Sequence, residues 1–126
     1  MKYSWALFLA AAIFFHPTAA LSHHSNVAFE VTKVLTVTGV VKEFKWMNPH
    51  TWINMTADDG KGKVEWAIEG RAPTVLLRSG WTKTSLKPGD TITVDYSPAK
   101  DGSRTGLVAR VTKSDGTILA NAPAEE

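Results

Sequence analysis

Residues 31–46 read Val-Thr-Lys-Val-Leu-Thr-Val-Thr-Gly-Val-Val-Lys-Glu-Phe-Lys-Trp. A run so rich in β-branched and aromatic residues predicts one long strand. Its alternation changes phase, with Leu35, Val37 and Val41 on one parity and Val40, Phe44 and Trp46 on the other. Gly39 stands at the change, where a bulge or sharp bend is expected.

The rest of the chain falls into place around that strand. Asn48-Pro49-His50 is a turn signal, after which Ile53, Met55 and Ala57 alternate with Trp52, Asn54 and Thr56 as a second strand. Asp58-Asp59-Gly60 closes it, and Val64, Trp66 and Ile68 alternate with Glu65, Ala67 and Glu69 in a third, predicting an antiparallel hairpin. The period then changes: Pro73 can open a helix, Val75, Leu76 and Leu77 give it an apolar face, and Gly80 suits a left-handed cap. Trp81 is expected to pack just past its end. Ile92, Val94 and Tyr96 mark strand four, and Leu107, Ala109 and Val111 mark strand five, before a last turn at Asp115-Gly116. Three strands, a short helix and two more strands, with the first strand long and bent, is the order of an all-β OB-fold-like five-stranded barrel. The helix between strands three and four would plug one end. A two-sheet sandwich gives no reason for a single helix there.

Size and composition agree with one such domain. The chain has 126 residues, 44% hydrophobic and 21% charged, which excludes disordered and collagen-like chains. Fourteen Lys and Arg face twelve Asp and Glu, so no basic excess marks a dedicated nucleic-acid binder, and no nucleic-acid partner is expected.

The first residues form a separate unit. Lys2 precedes an unbroken apolar run from Trp5 to Phe15, eleven residues long, and Pro17 ends it. A membrane span needs about 20 residues and the apolar region of a signal peptide about 7–15, so residues 1–22 read as a cleaved export signal. Cleavage is expected after Ser22, with Ala20 as the other candidate. The domain then spans 23–119, followed by a flexible tail at 120–126, with no membrane insertion after cleavage. Losing Lys2 leaves thirteen basic residues against twelve acidic ones. With no cysteine the exported chain must rely on its apolar core, which is consistent with a bacterial periplasm or with secretion.

Histidines offer the first candidate chemistry. Cleavage after Ser22 would let the α-amine and imidazole of His23 chelate one metal, with His24 or His50 adding nitrogen, a tetragonal set that copper favours. Cleavage after Leu21 or Ala20 would instead place His24 or His23 third in the chain, where amine, amides and imidazole form a square plane. His50 follows strand one whereas His23 and His24 precede it, and about 14 strand residues span roughly 45 Å. The segment from Ser25 to Glu30 would have to fold back, or a second subunit supply His50. Alternatively His50 hydrogen-bonds its own loop closed, with Pro49 holding Asn48 extended.

Aromatic residues offer the second. Trp46 and Trp52, with Asn48 and His50, lie around the first loop, a neighbourhood where OB-folds stack ligands on aromatic faces. Trp52 has the parity of an outward residue, while Trp66 and Trp81 fit the core. Enzyme signals are poor: there is no cysteine nucleophile, no Gly-x-Ser-x-Gly elbow and no His-Glu-x-x-His helix. Gly60-Lys61-Gly62-Lys63 is a hairpin turn, and Glu65 and Glu69, about 13 Å apart along one strand, are too distant for a catalytic carboxylate pair.

Ser22-His23-His24-Ser25, Gly39-Val40-Val41, Trp46-Met47-Asn48-Pro49-His50-Thr51, Gly80-Trp81 and Leu86-Lys87-Pro88-Gly89-Asp90 together resemble a family of small exported bacterial proteins, domain of unknown function 6152. The resemblance covers nearly all of residues 22–119. It implies bacterial export and one small β-domain, and it carries over no activity and no catalytic residues. The expectation is a periplasmic, non-catalytic OB-like module for a small ligand or an envelope protein partner. A copper-binding or copper-handling protein is the alternative.

Overall fold

The computed structural model describes residues 27–121. Along them run β1 (Leu35–Lys45), β2 (Trp52–Asp58), β3 (Lys63–Glu69), the helix α1 (Pro73–Arg78), β4 (Thr91–Pro98), β5 (Thr105–Lys113) and β6 (Ile118–Ala120). β1 pairs antiparallel with β4 through Leu35–Val40 and with β2 through Gly39–Lys45. β2 pairs with β3 and β4 with β5, both antiparallel, and a parallel pairing of β3 with β5 closes the ring. The result is the expected OB-like barrel of five strands with its helix between β3 and β4. β6 is a short addition along Arg110–Thr112 of β5.

Alternation explains most of the core. Ile53, Met55 and Ala57 from β2, Ile68 from β3, and Ile92, Val94 and Tyr96 from β4 are all buried. α1 starts at Pro73, which needs no backbone donor there, and ends where Gly80 takes φ 85°, letting Trp81 N–H return to the Leu76 carbonyl at 3.0 Å. Trp81 is thereby carried under the barrel, 1% exposed, and its indole Nε1–H donates to the Ala120 carbonyl at 2.6 Å. Leu76, Phe44 and Trp46 join it at this end, while Trp66 and Tyr96 meet edge to face at 5.2 Å further along the interior.

Four expectations are corrected. The first strand begins at Leu35 rather than Val31, because Lys33 N–H closes a turn on the Glu30 carbonyl at 2.9 Å and the chain before it bridges β4 through Phe29 and Ala99. The phase change comes from a bulge between Val41 and Glu43, with Lys42 the extra residue, and not from Gly39. Val37 and Val41 therefore face inward before the bulge and Phe44 and Trp46 after it, while Val40 is exposed. Gly39 answers a different need: a Cβ there would strike the Thr56 carbonyl oxygen and the Met55 side chain, where β1 leaves one neighbour for the other.

In β5 a second irregularity opposite Asp95 and Tyr96 leaves Ala109 extra, so Gly106, Val108 and Val111 point inward and Leu107 and Ala109 do not. Finally, the fold runs past 119. Ala120 ends β6, and Asn121 Oδ1 accepts from Arg71 N–H at 3.2 Å. Residues 122–126 of the expected tail, and the whole of the expected export signal, lie outside the described residues.

Candidate functional site

The loop between β1 and β2 is tied down at its end by Thr51. This threonine is 1% exposed, its hydroxyl donates to the Arg71 carbonyl at 2.9 Å, and its own carbonyl accepts from Gly70 N–H at 2.8 Å. Gly70 has room for no side chain, since a Cβ would collide with the Thr51 hydroxyl. These bonds dock the loop on the chain leaving β3. They bring His50 Nδ1 to 2.7 Å from Glu69 Oε1.

Glu69 lies on the outside of the barrel, since its register partners are Trp52 on β2 and Leu107 on β5, both of outward parity. It is nonetheless only 8% exposed. Side chains flanking it and the histidine above remove water from the carboxylate, and burial raises its pKa above the ordinary value, with the His50 charge opposing. The pair also links the loop to β3, a partner for His50 outside its own loop.

Along the same face the next row holds Glu43, Asn54 and Ala67. The small Ala67 side chain leaves a groove of about 520 Å³, walled by Lys42, Glu43, Glu65 and Arg104. The bulge in β1 builds one of those walls by leaving consecutive residues, Lys42 and Glu43, both exposed. Every charge around the groove has a partner. Lys42 Nζ donates to both Glu65 oxygens at 3.0 Å, Lys45 lies 3.7 Å from Glu43, and Arg104 lies 3.4 Å from Asp59. Asn54 Nδ2 donates to Glu43 Oε2 at 3.4 Å.

The expected site residues separate. Trp52 is half-buried on this outer face, beside Glu69 and in line with the groove. Trp46 turns the other way, against Phe44 at 5.7 Å and the barrel core. Asn48 is exposed in the loop. His23 and His24 lie outside the described residues, and among the described residues no group of three or more His, Cys, Asp or Glu is arranged to hold a metal. Glu69 is the residue that sequence reasoning missed. Counting outward from the 59–62 turn would have set it opposite Trp52, but its burial depends on β5 and the loop. No helix among the described residues is long and apolar enough to cross a membrane.

The model of a family of unknown function (DUF6152) matches residues 12–110. The chain belongs to that family. No curated protein matches the sequence. Among solved structures, the mitochondrial single-stranded DNA binding protein of S. cerevisiae is similar, with a TM-score of 0.50 and 11% identity over 65% of this chain and 94% of that one. At that identity the likeness is one of fold.

Proposed function

We propose that this member of DUF6152 is an exported, non-catalytic binding module that holds a small, neutral, polyhydroxylated ligand of the saccharide class on the outer face of β1, β2 and β3. The observation that carries the reading is Trp52, half-buried beside a carboxylate that the fold has dried on the outside of its barrel. An indole face stacks on the apolar face of a sugar ring, while an amide and paired ions in the adjoining groove exchange hydrogen bonds with hydroxyls. Lys42, Lys45 and Arg104 are balanced by Glu43, Glu65 and Asp59, so the face has no surplus charge to draw in a charged ligand. The structural neighbour binds single-stranded DNA, but on this face Glu43, Glu65 and Asp59 accompany the cations and would repel a phosphate backbone. Residues 1–22 support export to the periplasm or beyond. Titrating the protein with soluble oligosaccharides and, separately, with an oligothymidylate tests the reading. Saturable saccharide binding lost in Trp52→Ala, with the fold intact by circular dichroism, supports it. Tighter oligothymidylate binding, or capture of an envelope protein that ignores Trp52, contradicts it.

A specific contact favours copper handling as a second reading. Glu69 occupies His50 Nδ1, which leaves Nε2 as the nitrogen available to a metal, the arrangement in which a ligating histidine gives its other ring N–H to a carboxylate. Closure of the barrel also shortens the path from the amino terminus. Phe29 bridges Ala99, whose N–H donates to Thr105, itself paired with Ala67 of β3. The strap and β3 are thus about 14 Å apart across three strand spacings, and not separated by the length of β1. The five residues from His24 to Phe29 can reach about 16 Å. Cu(II) titration of the chain with its natural processed terminus, beside a chain one residue longer and His50→Ala, tests this. Equal affinity in all three contradicts it.

A further inference from the structure

We propose that the end of the barrel beneath the amino-terminal strap is a second binding site, for a small aromatic carboxylate. Trp66 borders both this site and the groove on the outer face, while Trp52 belongs to the outer face alone. Residues before β1 fold back along the end of β4, with Glu30 N–H donating to the Pro98 carbonyl and Lys100 N–H to the Ala28 carbonyl, each at 2.9 Å. Phe29, 4% exposed, anchors this strap. Between it and the barrel lies a cavity of about 340 Å³, lined by Leu35, Trp66, Tyr96, Pro98, Lys33 and Lys100 among others. That volume suits a ligand of one or two fused rings.

The lining divides by chemistry. Trp66 is half-buried, so part of its indole remains available to a ring, and Tyr96 supports it edge to face at 5.2 Å. The tyrosine lies this deep because β5 has a glycine beneath it: a Cβ at Gly106 would strike the Tyr96 ring. Burial raises the Tyr96 pKa, so its phenol keeps its proton and can donate. At the rim Lys100 has no ion-pair partner among the described residues. Two carboxylates stand nearby, and Glu30 itself lines the cavity beside Lys33. Glu30 faces Lys33 at 3.8 Å, and Asp101 accepts the Ser103 N–H at 2.9 Å within the hairpin turn. An aromatic floor bordered by an ammonium that has no ion-pair partner among the described residues matches a flat apolar body bearing one carboxylate.

The probe is 2-naphthoate, read by its fluorescence anisotropy and by the shift of the Trp66 indole N–H in a proton–nitrogen spectrum of the full chain. Saturable binding that moves the Trp66 signal is expected. 2-Naphthylmethanol, with the same rings and no charge, should bind about fivefold more weakly, and Lys100→Ala should weaken naphthoate by about the same factor. Lys100 is exposed in a turn, so this variant keeps its fold, and Trp52→Ala should leave naphthoate binding unchanged. Absence of saturable binding, equal affinity for the alcohol, indifference to Lys100→Ala, or a shift at Trp52 in place of Trp66 each overturns the proposal.

Discussion

The barrel has two outer faces that share its first strand, and they treat their polar side chains differently. On the face of β1, β4 and β5, Thr36 donates to Asp95 at 2.8 Å, Thr38 and Thr93 bond each other at 2.9 Å, and Arg110 Nε and Nη2 both donate to Asp95 Oδ2, at 2.9 and 2.6 Å. Short side chains in register satisfy one another there and lie close to the sheet. On the face of β1, β2 and β3, a bulge at Lys42 breaks the register, a small residue at Ala67 opens a groove, and a loop histidine seals a carboxylate beside Trp52. β4 and β5 also slip register, at Ala109, yet the polar side chains of that face still pair; relief appears only where the bulge at Lys42 coincides with the small Ala67 and the docked loop.

Five substitutions probe this difference, in order of falling effect. Gly39→Val should damage both faces at once, because the new side chain meets the Thr56 backbone where β1 passes between its neighbours. A loss of about 3 kcal/mol in urea unfolding is expected, and a loss under about 0.5 kcal/mol would show that β1 has slack there.

His50→Ala should cost about 2 kcal/mol at neutral pH by leaving Glu69 buried without a partner. Its effect should shrink in acid. Glu69 has a raised folded pKa, so its favourable contribution is complete below the ordinary value of 4.5 and is lost as pH rises through the folded value. Glu69→Gln, which cannot ionise, should therefore flatten that slope. A slope that persists in the variant would remove Glu69 as its source.

Asp95 has the opposite sign. Its hydrogen bond from Thr36, and then those from Arg110, lower its pKa, so its contribution is present above the ordinary value of 3.8 and disappears as pH falls through the lower folded value. Asp95→Asn should cost on the order of 1 kcal/mol at neutral pH and nothing in strong acid. The two faces thus carry pH dependences of opposite slope, separable by denaturation at several pH values. Least affected should be Thr38→Val, which removes one exposed hydroxyl pair and should stay within about 0.5 kcal/mol. A larger loss would mean that the threonine row does more than satisfy its own polar groups.

What was legible in the sequence follows the range of the forces involved. Pro73 and Gly80 bound the helix by local backbone preference, and alternation in Ile53, Met55 and Ala57 fixes the inner side of β2, so the order of the barrel could be read directly. The phase slips at Lys42 and Ala109 show only in the pairing with the neighbouring strand, and no local signal announces them. Gly39 was recognised as special, but its reason is the nearness of Thr56 in space. At the candidate site, the outward parity of Trp52 was readable, whereas the inward turn of Trp46 follows from the bulge before it. The burial of Glu69 needs Trp52, Leu107 and His50 from three separate segments, and it emerges only when β5 closes against β3.

If the relief on the face of β1, β2 and β3 is a ligand site, a ligand perturbs it and spares the threonine face. Mapping proton–nitrogen chemical shifts while a panel of neutral oligosaccharides is added tests it most directly. Saturable changes are expected at the Trp52 indole, Asn54 and Ala67, with Thr36, Thr38 and Thr93 unmoved. Changes centred on the threonine face, or none with any member of the panel, would contradict it.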